Sequence, residues 1–185
     1  MTKRKRFDKT DWISLGLAQL AREGGSGLTV EALCRQADRT RGSFYHHYTD
    51  HSAFIEAIMA AWKQRNTIDV AEETLKADQG SRAQQLSALA NNLDLDLERA
   101  VRQFAQANAI AHETLREVDE LRTEFVAGLY RQEGLSADRA REIAMIEYAA
   151  YVGSQIVWPE MAASERMKLD RQFASLVRLL KDSNA

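Results

Sequence analysis

Apolar residues recur every three to four positions along most of the chain, and no stretch of useful length alternates strictly between apolar and polar. That spacing predicts an all-α fold. A first helix runs from Asp11 to about Arg22 and stops at Gly24-Gly25. Val30, Leu33, Cys34 and Ala37 then stand at i, i+3, i+4 and i+7, one stripe on a second helix that Thr29 is placed to cap. Thr40 opens a short third helix, with Phe44 and Tyr48 four apart on one side. Asp50 caps a long helix predicted to reach about Ala77, with Phe54, Ile55, Ile58 and Trp62 on one face. Gly80-Ser81 breaks the chain ahead of a segment carrying Leu86, Leu89, Ala90 and Leu93. Another helix is predicted over 94–106. Asn108 is placed to cap a longer one ending near Gly134, on which Leu115, Val118, Arg122, Phe125 and Leu129 share a face. Ser136 caps a helix over Ala137–Trp158, stopped by Pro159, the one proline. The last helix, about Ala162–Lys181, spaces Leu169, Phe173, Leu176, Val177 and Leu180 at i, i+4, i+7, i+8 and i+11.

This pattern divides into an N-terminal three-helix domain, residues 1–50, packed on the start of a linking helix at 51–77, and a helical regulatory and dimerisation domain, residues 51–185. Ala140, Ala144, Ala150, Gly153 and Ser154 keep the penultimate helix thin enough for a neighbour to approach closely. The final stripe is broader than a terminal helix packed on one side needs. Two such helices from each of two subunits make a four-helix bundle, so a homodimer through the last two helices is expected. The alternative is that the chain's own core consumes both stripes.

The short third helix has a second face. Opposite Phe44 and Tyr48 it carries Arg41, Ser43, Tyr45 and His46 or His47, groups that bind phosphates and base edges. A helix small enough for the major groove, buried on one side and polar on the other, is how a helix-turn-helix reads DNA. The run Gly42-Ser43-Phe44-Tyr45-His46-His47-Tyr48, with Trp12, Ile13, Gly16, Leu17, Leu20, Gly24 and Gly25 before it, resembles the N-terminal signature of the TetR family of bacterial transcriptional regulators. The match covers about the first third of the chain. The rest is similar only in helix order and in Val118-Asp119 followed by Leu121-Arg122.

The resemblance implies an N-terminal three-helix helix-turn-helix DNA-binding domain and a C-terminal helical-bundle domain that dimerises and binds a ligand. Arg41 and Ser43, with Thr40 and Arg39 beside them, are expected at base edges. Thr29, Tyr45, His46 and His51 are expected at phosphates, and His47 completes the set. Two positions depart from the family pattern. Its turn carries Gly and then an aliphatic residue, where this chain has Asp38 and Arg39. Asp accepts a left-handed turn at modest cost. Arg39 either snorkels over the apolar surface or is recruited to DNA. The Lys common at the start of the fourth helix is His51, which makes any phosphate contact there pH-dependent.

Charge agrees with that polarity. The net charge of −2 conceals nine Lys/Arg against six Asp/Glu in residues 1–51, and sixteen against twenty-one in the remainder. Lys3, Arg4, Lys5 and Arg6 form a basic arm suited to the phosphate backbone or the minor groove, or simply to a solvated terminus. The one cysteine, Cys34, excludes an intramolecular disulfide and sits on an apolar stripe, as a small core residue does. No run of about 18 apolar residues spans a membrane, and no apolar segment follows the basic start, so a cytoplasmic protein without a membrane partner is expected.

Chemistry of other kinds finds little support. His47 and His51 are four apart but a helix start at Asp50 separates them, and His112-Glu113 lacks the second His of a zinc-protease motif. No Gly-rich phosphate loop or nucleophile elbow occurs, so no metal, cofactor or catalytic residue is expected. The second domain does carry polar and aromatic residues on apolar stretches: Trp62, Phe104, His112, Arg122, Glu147, Tyr148 and Tyr151, with Trp158 beyond them. Convergent polar groups in an apolar setting suit an unknown small-molecule effector, although each alone also suits a satisfied core position. Arg122, on a buried face, is expected to pair with Glu147 or with an acidic or hydrogen-bond-accepting ligand. The reading is a ligand-responsive repressor that binds a palindromic double-stranded DNA operator as a dimer. Activation instead of repression fits the same residues. A helical interaction protein whose DNA-binding unit has decayed, or a helical-bundle enzyme, are the alternatives from other classes.

Overall fold

The computed structural model describes residues 7–182, with side chains described as far as Leu179. The basic cluster Lys3–Arg6 and the side chain of Leu180 therefore lie outside the described residues. Among the described residues every regular element is helical: α1 (Lys9–Glu23), α2 (Val30–Ala37), α3 (Arg41–Tyr45), α4 (His51–Lys63), α5 (Asp69–Leu75), α6 (Arg82–Asn91), α7 (Leu95–Ala105), α8 (Ala109–Gln132), α9 (Ala137–Val157) and α10 (Ala163–Asp182). The chain divides into two compact units, Met1–Gln64 with Asp94–Arg116, and Arg65–Leu93 with Glu117–Ala185.

Local chemistry sets the helix ends in the first unit. Asp8 and Asp11 form a reciprocal capping box, so α1 starts two residues earlier than hydrophobic spacing alone suggests. Gly24, at φ 63°, ends α1 in a conformation that suits glycine, and its N–H reaches the Leu20 carbonyl. Thr29, Thr40 and Asp50 each accept a backbone N–H three residues on, from Ala32, Ser43 and Ala53. The turn between α2 and α3 closes on Asp38 at φ 51°, ψ 51°, the left-handed conformation that the aspartate tolerates.

The core of this unit is built from rings. Phe44 meets Trp12, Tyr48 and Phe54 at centroid distances of 5.2–5.4 Å, and all four are buried. Gly16 lets α1 lie directly against α4, since a Cβ there would come within 2.6 Å of Phe54 and 2.9 Å of Ile58. The Tyr48 hydroxyl donates to the Lys9 carbonyl, and burial pushes that phenol up to about 12. From α7, the buried Glu98 accepts the Trp62 indole N–H at 2.8 Å.

The expected continuous helix from Asp50 to Ala77 is interrupted. α4 passes into a π turn at Gln64–Ile68 before α5, which ends at Leu75. A π turn widens the ladder by one residue and changes which side chains share a face. The Asn66 carbonyl finds a partner outside the helix, the Arg122 guanidinium. Helical periodicity cannot register such an insertion, because both sides of it remain helical.

In the second unit, Ala127, Tyr130, Ala140, Ile143, Ala144 and Val177 form one buried cluster, with Val126, Leu135 and Phe173 packed against it. Ala140 and Ala144 therefore serve close packing within this chain, not the approach of another subunit. The final stripe is likewise split: Phe173 and Val177 turn inward, while Leu169 and Leu176 face outward, as does Leu179 outside the stripe. Val177 is 4% exposed and Leu176 60%. Adjacent residues on a helix point about 100° apart, so a stripe this broad serves two surfaces.

Candidate functional site

Two places hold concentrated chemistry. The first is the outer face of α3 in the N-terminal unit. Burial of Phe44 fixes that short helix, which leaves Arg41, Tyr45 and His46 exposed and Ser43 and His47 half-buried. Arg41 donates to Tyr45 and pairs with Glu31 of α2 at 3.0 Å, and these two contacts, the tyrosine first, raise its pKa further. An exposed pair of this kind contributes little, so a phosphate or base edge competes with it readily. The His46 and His47 rings meet edge to face, 5.0 Å apart.

Other expected contacts have structural duties. Thr29 and Thr40 spend a hydroxyl lone pair on helix caps. His51 Nε2 lies 2.8 Å from the Leu28 carbonyl and ties the start of α4 to the turn before α2. Arg39 folds back: its guanidinium donates to the Asp38 carbonyl and lies over the Phe7 ring at 5.4 Å. Cys34 is buried, and that burial, followed by Glu31, raises its thiol pKa against the opposing pull of Arg41. A neutral thiol in such a place is a poor nucleophile.

The second place is a cavity of about 230 Å³, partly open to solvent, lined by the second unit. Leu86, Ala90 and Leu93 come from α6, Phe125, Val126 and Leu129 from α8, and Ile68 from the π turn. Arg122, Glu147, Tyr148 and Tyr151 join this wall, as do Tyr130, Glu133 and Asp170, which the sequence pattern did not single out. Trp62, Phe104 and His112 do not. They belong to the N-terminal unit, where Trp62 is core, Phe104 lies against Gly25 and His112 is exposed. A large aromatic on a helical stripe is more often core than pocket, and periodicity alone does not distinguish the two.

Arg122, Glu147, Tyr148, Tyr151 and Asp170 in the wall each have a defined partner. Arg122 donates through Nε to the Thr67 hydroxyl and through Nη2 to the Asn66 carbonyl, both at 3.0 Å, so this guanidinium braces the π turn. Glu147 accepts from the Tyr130 hydroxyl at 2.6 Å. The Tyr148 hydroxyl donates to Asp119, and that of Tyr151 to the Ala90 carbonyl. Asp170 accepts from Ser87 and Asn91, and Asn91 in turn accepts from the buried Arg166. Burial pushes the Glu147 carboxyl up, against the Tyr130 hydrogen bond, and Asp170 and Glu133 push it the same way as burial. The Tyr130 phenol also rises, through burial first and then the negative charge of Glu147.

The chain matches no protein-family model and no curated protein. Among solved structures, 24 chains match. One, a candidate transcriptional regulator from Pseudomonas aeruginosa PAO1, is similar with a TM-score of 0.69, over 95% of this chain and 92% of that chain, at 14% sequence identity. At that identity the likeness establishes a shared all-helical fold. No helix among the described residues is long and apolar enough to cross a membrane.

Proposed function

We propose that this protein is a ligand-responsive transcriptional regulator of the TetR type, a repressor that binds a palindromic operator as a homodimer. The observation that carries the proposal is α3. It is a short helix that a capped turn presents, with an aromatic core beneath it and Arg41, Ser43, Tyr45 and His46 on its outer side. A major-groove reader needs such a helix, with its N-terminal residues free to meet base edges. The likeness along nearly the whole chain to a candidate transcriptional regulator supports the same reading. The intact turn at Asp38 and the dense packing around Phe44 argue against a decayed DNA-binding unit.

Dimerisation is proposed through α9 and α10. Met145, Ile146, Ile156, Val157, Trp158, Leu169, Leu176 and Leu179 are large apolar residues exposed on or beside these helices. Surface of that extent marks an interaction site, and a second copy of the same two helices fits a four-helix bundle. Two recognition helices on matched half-sites would also supply specificity that one short helix lacks.

The effector is proposed to occupy the cavity. Its wall includes Asn66, Thr67 and Ile68, so a ligand presses on the π turn that Arg122 braces. Backbone continuity then carries a change in the turn into α4. A coupling of about 1–3 kcal/mol between ligand and operator suffices for a switch.

Selection of bound fragments from genomic DNA by the purified protein tests the core of this reading. It is expected to return a palindromic site. Arg41→Ala should weaken that site by about 10- to 100-fold and relax its sequence preference. Tyr45→Phe should instead weaken all sequences alike, as loss of a phosphate contact does. Equal losses on cognate and random DNA for Arg41→Ala would remove Arg41 from base reading.

A further inference from the structure

We propose that the cavity of the second unit takes a small lipophilic organic cation, with its charge facing the Glu147 carboxylate and its body on the aliphatic wall. The inference deepens the regulatory reading and rests on it for the consequence of binding, though not for what binds.

The argument is one of charge balance in a partly open cavity, where Glu147 is half-buried and Glu133 lies at the exposed rim. Three carboxylates, Glu133, Glu147 and Asp170, stand in the wall with a single guanidinium, Arg122. That guanidinium donates to Thr67 and Asn66, on the π turn. Asp170 has Ser87 and Asn91 as donors, and through Asn91 it is linked to the cation of Arg166. Glu147 has no such link. Its hydrogen-bond donor is the neutral Tyr130, and the charges that bear on it, Asp170 and Glu133, are both negative.

A half-buried carboxylate among like charges is costly, and a nearby positive charge offsets that cost. An anionic ligand would add to the repulsion, and a neutral one would leave it in place. A cation relieves it. The aromatic wall agrees, because Tyr148 and Tyr151 stack at 6.3 Å and 26°, and tyrosine faces attract organic cations. Leu86, Phe125 and Leu129 supply the apolar contact. The volume of about 230 Å³ falls below the ~300–1,000 Å³ typical of drug-sized ligands, which restricts the occupant to a compact one.

The test uses three benzyl probes: benzyltrimethylammonium, its neutral isostere neopentylbenzene, and the smaller anion phenylacetate. Binding to the full chain without DNA is measured by calorimetry at one pH above the ordinary carboxylate range, and the fixed charge of the ammonium keeps that probe's own titration out of the comparison. The cation is expected to bind at least about tenfold more tightly than either other probe, the size of effect a desolvated charge contact gives. Glu147→Gln should abolish that margin while leaving the affinity for neopentylbenzene unchanged. Equal or tighter binding of the neutral or anionic probe to the wild-type chain overturns the proposal, and this comparison does not depend on the variant folding. Absence of cation binding at millimolar concentration, or undiminished cation preference in folded Glu147→Gln, overturns it as well. The regulatory reading fails separately: a chain that prefers the cation but selects no DNA keeps the cation site and loses the operator.

Discussion

The two units solve the packing of helices in opposite ways. In the N-terminal unit, Trp12, Phe44, Tyr48 and Phe54 fill the space between helices with rings in contact, and Gly16 removes even a Cβ from the crossing of α1 and α4. The second unit leaves about 230 Å³ open and lines it with half-buried side chains, among them Glu147, Tyr148 and Tyr151. A filled core holds one geometry, as the proposed recognition helix would require. A hollow one forgoes dispersion contacts along its wall, and a ligand restores them.

The split of the final apolar stripe gives the sharpest way to break this comparison. Val177→Asp places a charge inside the packed part of the second unit and is expected to cost about 5 kcal/mol, enough to unfold many domains. Leu176→Asp, one residue away but outward, should leave the protomer folded while weakening the proposed dimer. Circular dichroism with sedimentation separates the two, and a folded Val177→Asp chain would contradict the inward placement. Next in size is a matched pair of truncations. Phe44→Ala in the filled core should cost about 3–5 kcal/mol by denaturant unfolding. Phe125→Ala, on a cavity wall, should cost only about 1–2 kcal/mol, mainly lost transfer energy. Equal costs would mean that the cavity closes in solution.

The smallest effect concerns pH. Because the folded state raises the Glu147 carboxyl above its unfolded value, this group favours the native state when protonated. Its contribution is fully present below the unfolded pKa, about 4.3 for a glutamate, and is lost as pH rises through the higher folded value. Glu147→Gln should therefore stabilise the chain relative to wild type near neutrality, with the gain fading as pH drops below the ordinary carboxylate range. Melting curves of both proteins across that range check the sign. A gain that grows toward acid would indicate a lowered pKa instead.

The unevenness of what could be read in the sequence follows from the same contrast. Thr29, Thr40 and Asp50 were legible as caps because each acts on an N–H three residues away. The left-handed turn at Asp38 was legible because its tolerance is a property of the residue itself. Arg122 was legible as an unusual charge on a buried face, but its partners Asn66 and Thr67 lie more than fifty residues earlier. Trp62 suits a pocket by its spacing, yet it is core, and Glu98, which receives its indole N–H, carries no local sequence signal. Glu98 looks like any charged residue on a helix until α7 turns it inward.

By itself the sequence determined an all-helical chain, most helix ends, and the unit of α2, turn and α3 with its polar outer face. These follow from spacing, capping and backbone preference, which act over a few residues. The tertiary structure alone decided where the π turn falls, which half of the last stripe is core, and which side chains wall the cavity. It also set the sign of charge there, since Ser87 meets Asp170 and Tyr130 meets Glu147 only once separate helices have packed. The electrostatic character of a cavity belongs to residues distant in sequence, and no local pattern encodes how their charges sum.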